Sequence, residues 1–428
     1  VKERIAILGG VRTPFMSTGG AFEAFPAADL GRLCVTEALE RLGIPVNRVG
    51  SLTVGSVTQT AGAVHVARNI ALSAGLSENT ATATFNSGGV SGLVSLISAA
   101  RSLALGEVEF AAAAGAESMS SIPVLISGEL RSVAQQTSLW KQARSLSRSL
   151  PGFRPSRLLS GAALARGFTD PTCGLTLGET AEVLVREFGI DRESQDEYAL
   201  LSHRRAGEAL AAGRLADETI SVLIPPAYET WASLDDGIQA DLNLQNLLAL
   251  KPAFDRLYGS VTSGNSAGGA DGAAAIVLAA ESAVEGTGVT PLGFLRDYEV
   301  GGVPAEWMGL GSARAVSSLL EKSGTGMDEI GLVEIHEAYA AQVIANERVF
   351  EDDRWSDRVT GRKAVGHLDR SILNVNGGAL ALGHPPGASG LRMVLSLLHE
   401  MRRRGVRLGV AAISAGGGQG AAVLLEGE

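Results

Sequence analysis

Gly377-Gly378-Ala379-Leu380-Ala381-Leu382-Gly383-His384-Pro385-Pro386-Gly387-Ala388-Ser389-Gly390-Leu391 is the stretch from which the fold can be read. Its glycine run gives way at Ser389-Gly390-Leu391 to a helix, which passes Gly405, enters the apolar strand Leu408–Ile413 and ends in Gly416-Gly417-Gly418. The same order occurs earlier in the chain. Ser91-Gly92-Leu93 opens a helix, passes Gly106, enters the strand Phe110–Ala114 and ends at Gly115. The shared tripeptide and matching helix lengths predict an internal duplication; the alternative is convergence between two helix–strand units.

Working outward, Arg4–Leu8 reads as a strand closed by Gly9-Gly10, and Ala28–Leu42 as a helix with Leu30, Leu33, Val35, Ala38, Leu39 and Leu42 on one face. A strand over Ser51–Val57 and a helix over Val64–Ala74 follow. Apolar strands alternating with amphipathic helices predict an α/β fold around a buried, largely parallel sheet.

The 428 residues are 45% apolar and 19% charged, which excludes a disordered chain. Two cysteines exclude both a cysteine-rich zinc site and a disulfide framework, and no metal is expected. A net charge of −10 argues against nucleic-acid binding. No apolar run is long enough to span a bilayer, and nothing near Val1 reads as a signal peptide, so the expected location is cytoplasmic. Residues 121–250 differ from the rest. A basic run (Arg131, Lys141, Arg144, Arg148, Arg154, Arg157) is followed by a polar helical region around Ser194–Ala212, and regular alternation resumes at Lys251. The expected organisation is a first half over 1–120, an inserted loop subdomain over 121–250, the end of the first half over 251–283 and a second half over 284–428. The basic run fits a solvated face, or a contact with an anionic ligand, a partner subunit or a membrane surface.

Two segments carry chemistry. His384 lies between glycine and proline just before a helix N-terminus, where glycines allow close approach of a ligand and unpaired N–H groups favour negative charge. A histidine there can serve as acid, base or oxyanion donor. His336-Glu337 follows the apolar strand Gly331–Ile335, at the strand end where α/β sites lie. It reads as a helix cap or a metal fragment, but no histidine stands four residues on, so a zincin-like site is not supported.

Together these segments resemble the thiolase family nearly end to end. Val11-Arg12-Thr13-Pro14-Phe15, Gly383-His384-Pro385 and Gly416–Gly420 are similar to its terminal motifs, and Val261-Thr262-Ser263-Gly264-Asn265 through Asp271-Gly272-Ala273-Ala274 to its acyl-CoA-proximal loop. His336-Glu337-Ala338-Tyr339-Ala340, Ser194–Leu200 and Leu250–Phe254 most resemble β-subunits of trifunctional fatty-acid oxidation complexes. The resemblance implies two similar α/β halves layered α-β-α-β-α, acyltransferase activity in fatty-acid metabolism (thiolysis or condensation of 3-ketoacyl-CoA), and coenzyme A thioester as substrate with no covalently bound cofactor. It also implies a homodimer or homotetramer, with an α-type partner subunit as a further possibility. Ser266, Ala267, Gly383 and Gly417 are the residues it assigns to substrate and CoA binding, with Ala267 standing where many relatives carry Ser or Thr.

The chain departs from the family at both catalytic cysteines. The nucleophile position is Gly89, in Ser87-Gly88-Gly89-Val90-Ser91, and the acid/base position is Ser414. Cys34 and Cys173 lie in neither motif. Glycine has no nucleophilic atom, and a serine hydroxyl is a poor proton acceptor without an adjacent base. Three readings follow. The first is enolate chemistry on an acyl-CoA, such as retro-aldol cleavage or decarboxylation, with His336 and His384 holding the thioester oxygen and Ser414 or Tyr339 relaying a proton. The second is a catalytically inactive structural or acyl-CoA-binding subunit. The third is an ordinary thiolase carrying engineered replacements. A nucleophile relocated to Ser87 or Ser91 would also be needed if acyl transfer is retained.

Overall fold

A computed structural model describes residues 3–58, 65–122 and 169–428. The basic run from Arg131 to Arg157 and the expected helix start at Val64 lie outside the described residues. The first half runs β1 (Ile5–Arg12), α1 (Ala27–Leu42), β2 (Val49–Gly55), α2 (Val66–Ser73), β3 (Ala81–Phe85), α3 (Ser91–Ala104) and β4 (Phe110–Glu117). Helices α4 (Leu177–Phe188) and α5 (Arg192–Ala211) come before β5 (Ala270–Ala280). The second half runs β6 (Gly293–Gly302), α6 (Gly311–Ser323), β7 (Leu332–Ile335), α7 (Ala340–Glu351), α8 (Pro386–Arg404), β8 (Leu408–Ala415) and β9 (Gln419–Glu426).

The hydrogen-bonded strand order is β7-β8-β9-β6-β1-β5-β4-β2-β3. The duplication is visible in it. Outward from the middle, β1, β5, β4 and β2 pair antiparallel, antiparallel, parallel, and β6, β9, β8 and β7 repeat that pattern. The two halves join where Ile5 of β1 faces Leu295 of β6. The sheet is therefore mixed rather than largely parallel. Only the crossovers through helices give parallel pairs. The glycine turn at 416–418 folds β9 back on β8 instead, as a hairpin connection must.

Three apolar clusters define five layers. α1 and α2 pack on one face of the first half's strands, through Leu30, Val35 and Ile70 against Leu8, Val54 and Val277. α6 and α7 do the same outside the second half, through Val316, Leu319 and Val343 against Ile335 and Leu424. α3 and α8 lie between the two sets of strands, with Leu93, Leu96, Leu391 and Val394 packed between Ile276 on one side and Ile413 and Val423 on the other. Among the described residues no helix is long and apolar enough to cross a membrane.

The shared Ser-Gly now has a physical reason. The N-terminal ends of α3 and α8 meet backbone to backbone: a Cβ on Gly92 would stand 2.7 Å from the Gly387 carbonyl oxygen, and one on Gly390 2.8 Å from the Leu93 amide. Gly115 is tighter still, at 2.0 Å from the Gly387 oxygen. Gly115→Ala is therefore expected to cost about 3 kcal/mol or more by overpacking, read as a lower urea midpoint at unchanged slope. At the other end, β1 runs through Gly9-Gly10 to Arg12 rather than stopping there. A register shift after Ile7 lets Gly10 lie against β5, where a Cβ would meet the Ala275 carbonyl at 2.2 Å.

Candidate active site

The site lies where the carboxyl ends of β7 and β8 face the N-termini of α3 and α8. His336 directly follows β7, held by its amide donating to the Ala412 carbonyl at 2.9 Å. Glu337, next to it, is neither a cap nor a metal ligand. Its buried carboxylate accepts from Ser202 Oγ (2.6 Å), Asn374 Nδ2 (2.8 Å), Tyr198 OH (3.1 Å) and the Leu380 amide (3.2 Å). These bonds tie α5 and the 374–383 loop to the end of β7, which fixes where His384 begins. The His384 amide donates to the Gly268 carbonyl at 2.8 Å, and its Nδ1 lies 2.7 Å from Ser389 Oγ, which is 3.1 Å from the Pro385 carbonyl. With Ser389 donating to Pro385, His384 carries its proton on Nδ1 and leaves Nε2 as a free lone pair.

The two imidazoles are neighbours, with ring centroids 4.2 Å apart and planes tilted by 49°. His336 is buried, and neither of its ring nitrogens has a partner. Unsatisfied buried polar atoms cost free energy, so a pair of them facing a site marks where a ligand atom is taken up. Burial, with the charge of Arg392 behind, lowers the His384 pKa to about 4. Burial, then His384 and Arg392, push His336 well below its ordinary value. Both rings are neutral at neutral pH. Arg392 itself is buried against Glu334 at 3.0 Å; burial raises that carboxyl to about 8 although Arg392 opposes the shift.

Gly89 faces this pair. A Cβ built on it would stand 3.8 Å from His384 Nε2, 3.8 Å from Ala415 Cβ and 2.9 Å from the Ser414 carbonyl oxygen. A Cβ there would crowd the Ser414 carbonyl while leaving ordinary distance to Ala415 and His384. Ser91 does not substitute for a side chain there: its buried hydroxyl donates to the Gly88 carbonyl (2.6 Å) and accepts from the Ser87 amide (2.9 Å). The Ser414 hydroxyl accepts from the Ser312 amide (2.9 Å) at the start of α6 and lies 3.1 Å from the Gly309 carbonyl, held in a network that continues through Ser312 Oγ to Asn346. Cys34 is buried in α1, and its thiol is pushed up by burial to about 12, so it is protonated and inert.

A groove of about 440 Å³ reaches Gly383, the residue before His384, and is lined among others by Ser17, His203, Asp236, Asn246 and Ser266. Two of the expected binding residues, Ser266 and Gly383, stand in its wall. Ala267 and Gly417 do not. Ala267 donates its amide to the Ala338 carbonyl beside His336, and Gly417, at φ 78°, donates to the Asp170 carboxylate. Tyr339 pairs by backbone with Ser266 and meets Phe254 edge-on at 6.0 Å.

Two family models cover the chain: the thiolase N-terminal domain over residues 5–282 and the thiolase C-terminal domain over 289–427. The chain belongs to the thiolase family. A 3-ketoacyl-CoA thiolase of Shigella flexneri serotype 5b is 38% identical, over 100% of this chain and 97% of that protein. Among solved structures, the acetyl-CoA acetyltransferase of Bacillus anthracis superposes with a TM-score of 0.86 at 33% identity, covering 100% of this chain and 99% of that one. Human mitochondrial 3-ketoacyl-CoA thiolase in complex with CoA also gives 0.86 at 33% identity, with 100% and 98% covered.

Sequence reasoning about the thiolase motifs found His336, His384, Gly89 and Ser414 but missed their supports. Tyr198, Ser202, Asn374 and Asp170 are distant in sequence, and nothing in their spacing marks them. Two outcomes follow for this thiolase. Gly89→Cys alone is expected to leave thiolysis unmeasurable, because the new Cβ must first displace the Ser414 carbonyl; assay with 3-ketoacyl-CoA and free CoA checks it. His203, held by burial at about 4 and accepting the Gln239 amide at 3.3 Å, takes up a proton only on unfolding between pH 6.5 and 4. Its contribution is present above the unfolded value and is lost as pH falls. The stability advantage of the wild type over His203→Gln therefore shrinks across that window, by up to ~1.4 kcal/mol per pH unit, in paired urea titrations at pH 7.5 and 4.5.

Proposed function

We propose that this thiolase-family protein binds an acyl-CoA thioester and performs carbon–carbon bond chemistry on it through an enolate, without a cysteine-bound acyl intermediate. The observation that carries this reading is the neutral imidazole pair with both His336 nitrogens unpartnered. A neutral imidazole donates a hydrogen bond to a developing enolate oxygen without the competing acidity of an imidazolium. The relative solved with CoA, and the groove running past Ser266 and Gly383, support the ligand class. The absence of a usable sulfur at Gly89, with Ser91 and Ser414 engaged elsewhere, removes the covalent half of the family's chemistry while the oxygen sink remains.

In this reading His336 holds the thioester oxygen, His384 accepts a proton at Nε2, and Ser266 and Gly383 border the CoA moiety. Ser414 acts by holding the start of α6 against β8 rather than as a free acid. Decarboxylation needs only that sink; retro-aldol cleavage also needs a base for the 3-hydroxyl proton, which His384 Nε2 supplies. Mass spectrometry of the purified protein with 3-ketoacyl-, 3-hydroxyacyl- and malonyl-type thioesters tests it. Bond cleavage without added CoA supports the reading. Binding with no turnover of any of them assigns the chain to the inactive acyl-CoA-binding role instead, and CoA-dependent thiolysis overturns it. We also propose a homo-oligomer. β3 ends the sheet with its strand largely uncovered, an edge that another copy can pair. Light scattering after gel filtration checks this, and a pull-down tests for an α-type partner.

A further inference from the structure

We propose that a water molecule works in front of Gly89 and that the protein is a hydrolase of 3-ketoacyl thioesters, cutting the C2–C3 bond to give a free carboxylic acid and a shortened acyl-CoA. This rests on the acyl-CoA reading above. It adds the attacking group and the substrate.

The Cα–Cβ direction of Gly89 leads to a point 3.8 Å from His384 Nε2 and 2.9 Å from the Ser414 carbonyl oxygen. A methylene is too close to that oxygen. A water beyond that point has two hydrogen-bond acceptors beside it, His384 Nε2 and the Ser414 carbonyl, one for each of its protons. Gly89 and His384 are only partly buried, so solvent reaches them. The bond from His384 Nδ1 to Ser389, which itself donates to Pro385, leaves Nε2 with a free lone pair 3.8 Å from the place of a Gly89 Cβ, as a general base requires. The nearby hydroxyls of Ser91 and Ser414 are already spent on backbone groups. His336, with no partner of its own, is left to receive the thioester oxygen.

The step balances without any further reagent. Water attacks C3 of the 3-ketoacyl thioester as its proton passes to His384 Nε2, and an oxygen–carbon bond forms. The C2–C3 bond then breaks, its electron pair moving into the thioester enolate held by His336. C2 takes back the proton from His384, and the new carboxylic acid releases its own proton to solvent. Retro-aldol cleavage and decarboxylation, by contrast, use neither the gap at Gly89 nor a water.

The test is turnover of a 3-ketoacyl-CoA in H₂¹⁸O with no free CoA present. The expected result is acetyl-CoA together with a carboxylate carrying one ¹⁸O, and an intact-protein mass that never shows an acyl adduct. An acyl adduct overturns the proposal, because a side chain is then the nucleophile. So does absence of the labelled acid in a protein that cleaves 3-hydroxyacyl- or malonyl-type thioesters, or that binds 3-ketoacyl-CoA in a thermal-shift assay. In both of those cases the acyl-CoA reading survives. No binding of any thioester overturns both. Gly89→Ala, which places a methyl on the path of the water, is expected to lower kcat for hydrolysis at least tenfold with thioester binding retained; an unchanged kcat overturns the proposal. Should that variant not fold, the label and adduct measurements on the wild type decide alone.

Discussion

His384→Ala is expected to lower turnover of an acyl-CoA substrate by at least about 10³-fold while thermal stability changes little. The magnitude follows from what the ring does in the geometry. Its Nε2 lies 3.8 Å from the place of a Gly89 side chain, and its ring centroid lies 4.2 Å from that of His336, so one substitution removes the base beside the oxygen sink. The ring contributes little to the fold, because the backbone pairs with Gly268 and Ala270 while the side chain makes one bond, to Ser389, whose hydroxyl keeps Pro385 as a partner. His336→Ala is the informative companion. It is expected to cost a comparable 10²–10³-fold in kcat while leaving the melting temperature unchanged or higher, since it deletes two buried nitrogens that have no partners in the unliganded protein. Steady-state kinetics beside differential scanning calorimetry separate the two effects. A fall in stability as large as the fall in activity would assign these rings to packing.

Arg12→Met is expected to destabilise the protein by about 3–5 kcal/mol, with the loss seen in the urea midpoint and not in the slope. Arg12 is fully buried. It donates from Nε to Glu218 at 2.6 Å and from both terminal nitrogens to Asp235 at 2.7 and 2.9 Å. A methionine of similar volume fills the space but leaves two carboxylates in a dry interior with only partial compensation, from Ser396 Oγ to Glu218 and from the Phe15 amide to Asp235. Arg4→Met is the control. Arg4 pairs with Glu281 at 2.9 Å on the surface, where such a pair is worth at most about 1 kcal/mol. Asp235 precedes Asp236 and Gly237 in the groove wall, so Arg12→Met is also expected to weaken thioester binding.

Much of this was legible in the residues alone. The order of glycine turn, helix and strand around Ser91 and Ser389 identified the repeat, because apolar period and turn chemistry are local properties. The motifs at 336–340, 383–385 and 416–420 placed the site for the same reason. What was not legible is what depends on contact at long range. Gly10 and Gly115 read as turn glycines, yet both are places where another backbone approaches within a Cβ's reach. The sheet's mixed direction depends on which strands are neighbours, and periodicity carries no record of neighbours. Glu337 read as a cap or ligand because its four donors come from α5 and the 374–383 loop, far along the chain. Gly89 read as a lost cysteine; only the Ser414 carbonyl, 2.9 Å from the place of a Cβ, shows that a side chain there would crowd the backbone of β8.

The joining of the two halves through β1 sets a timetable for synthesis. β1 holds residues 5–12, yet both strands that flank it are made from residues 270–302. At ~5–20 residues per second, β1 waits on the order of 15–60 s after it is made for its neighbours. Throughout that time its apolar stretch Ile5-Ala6-Ile7-Leu8 has both edges open, and the first half cannot close as a unit on its own. The nascent chain is thus exposed to mispairing throughout that interval, and a chaperone that shields the apolar strand β1 is expected to raise the yield of folded protein more than one acting after release.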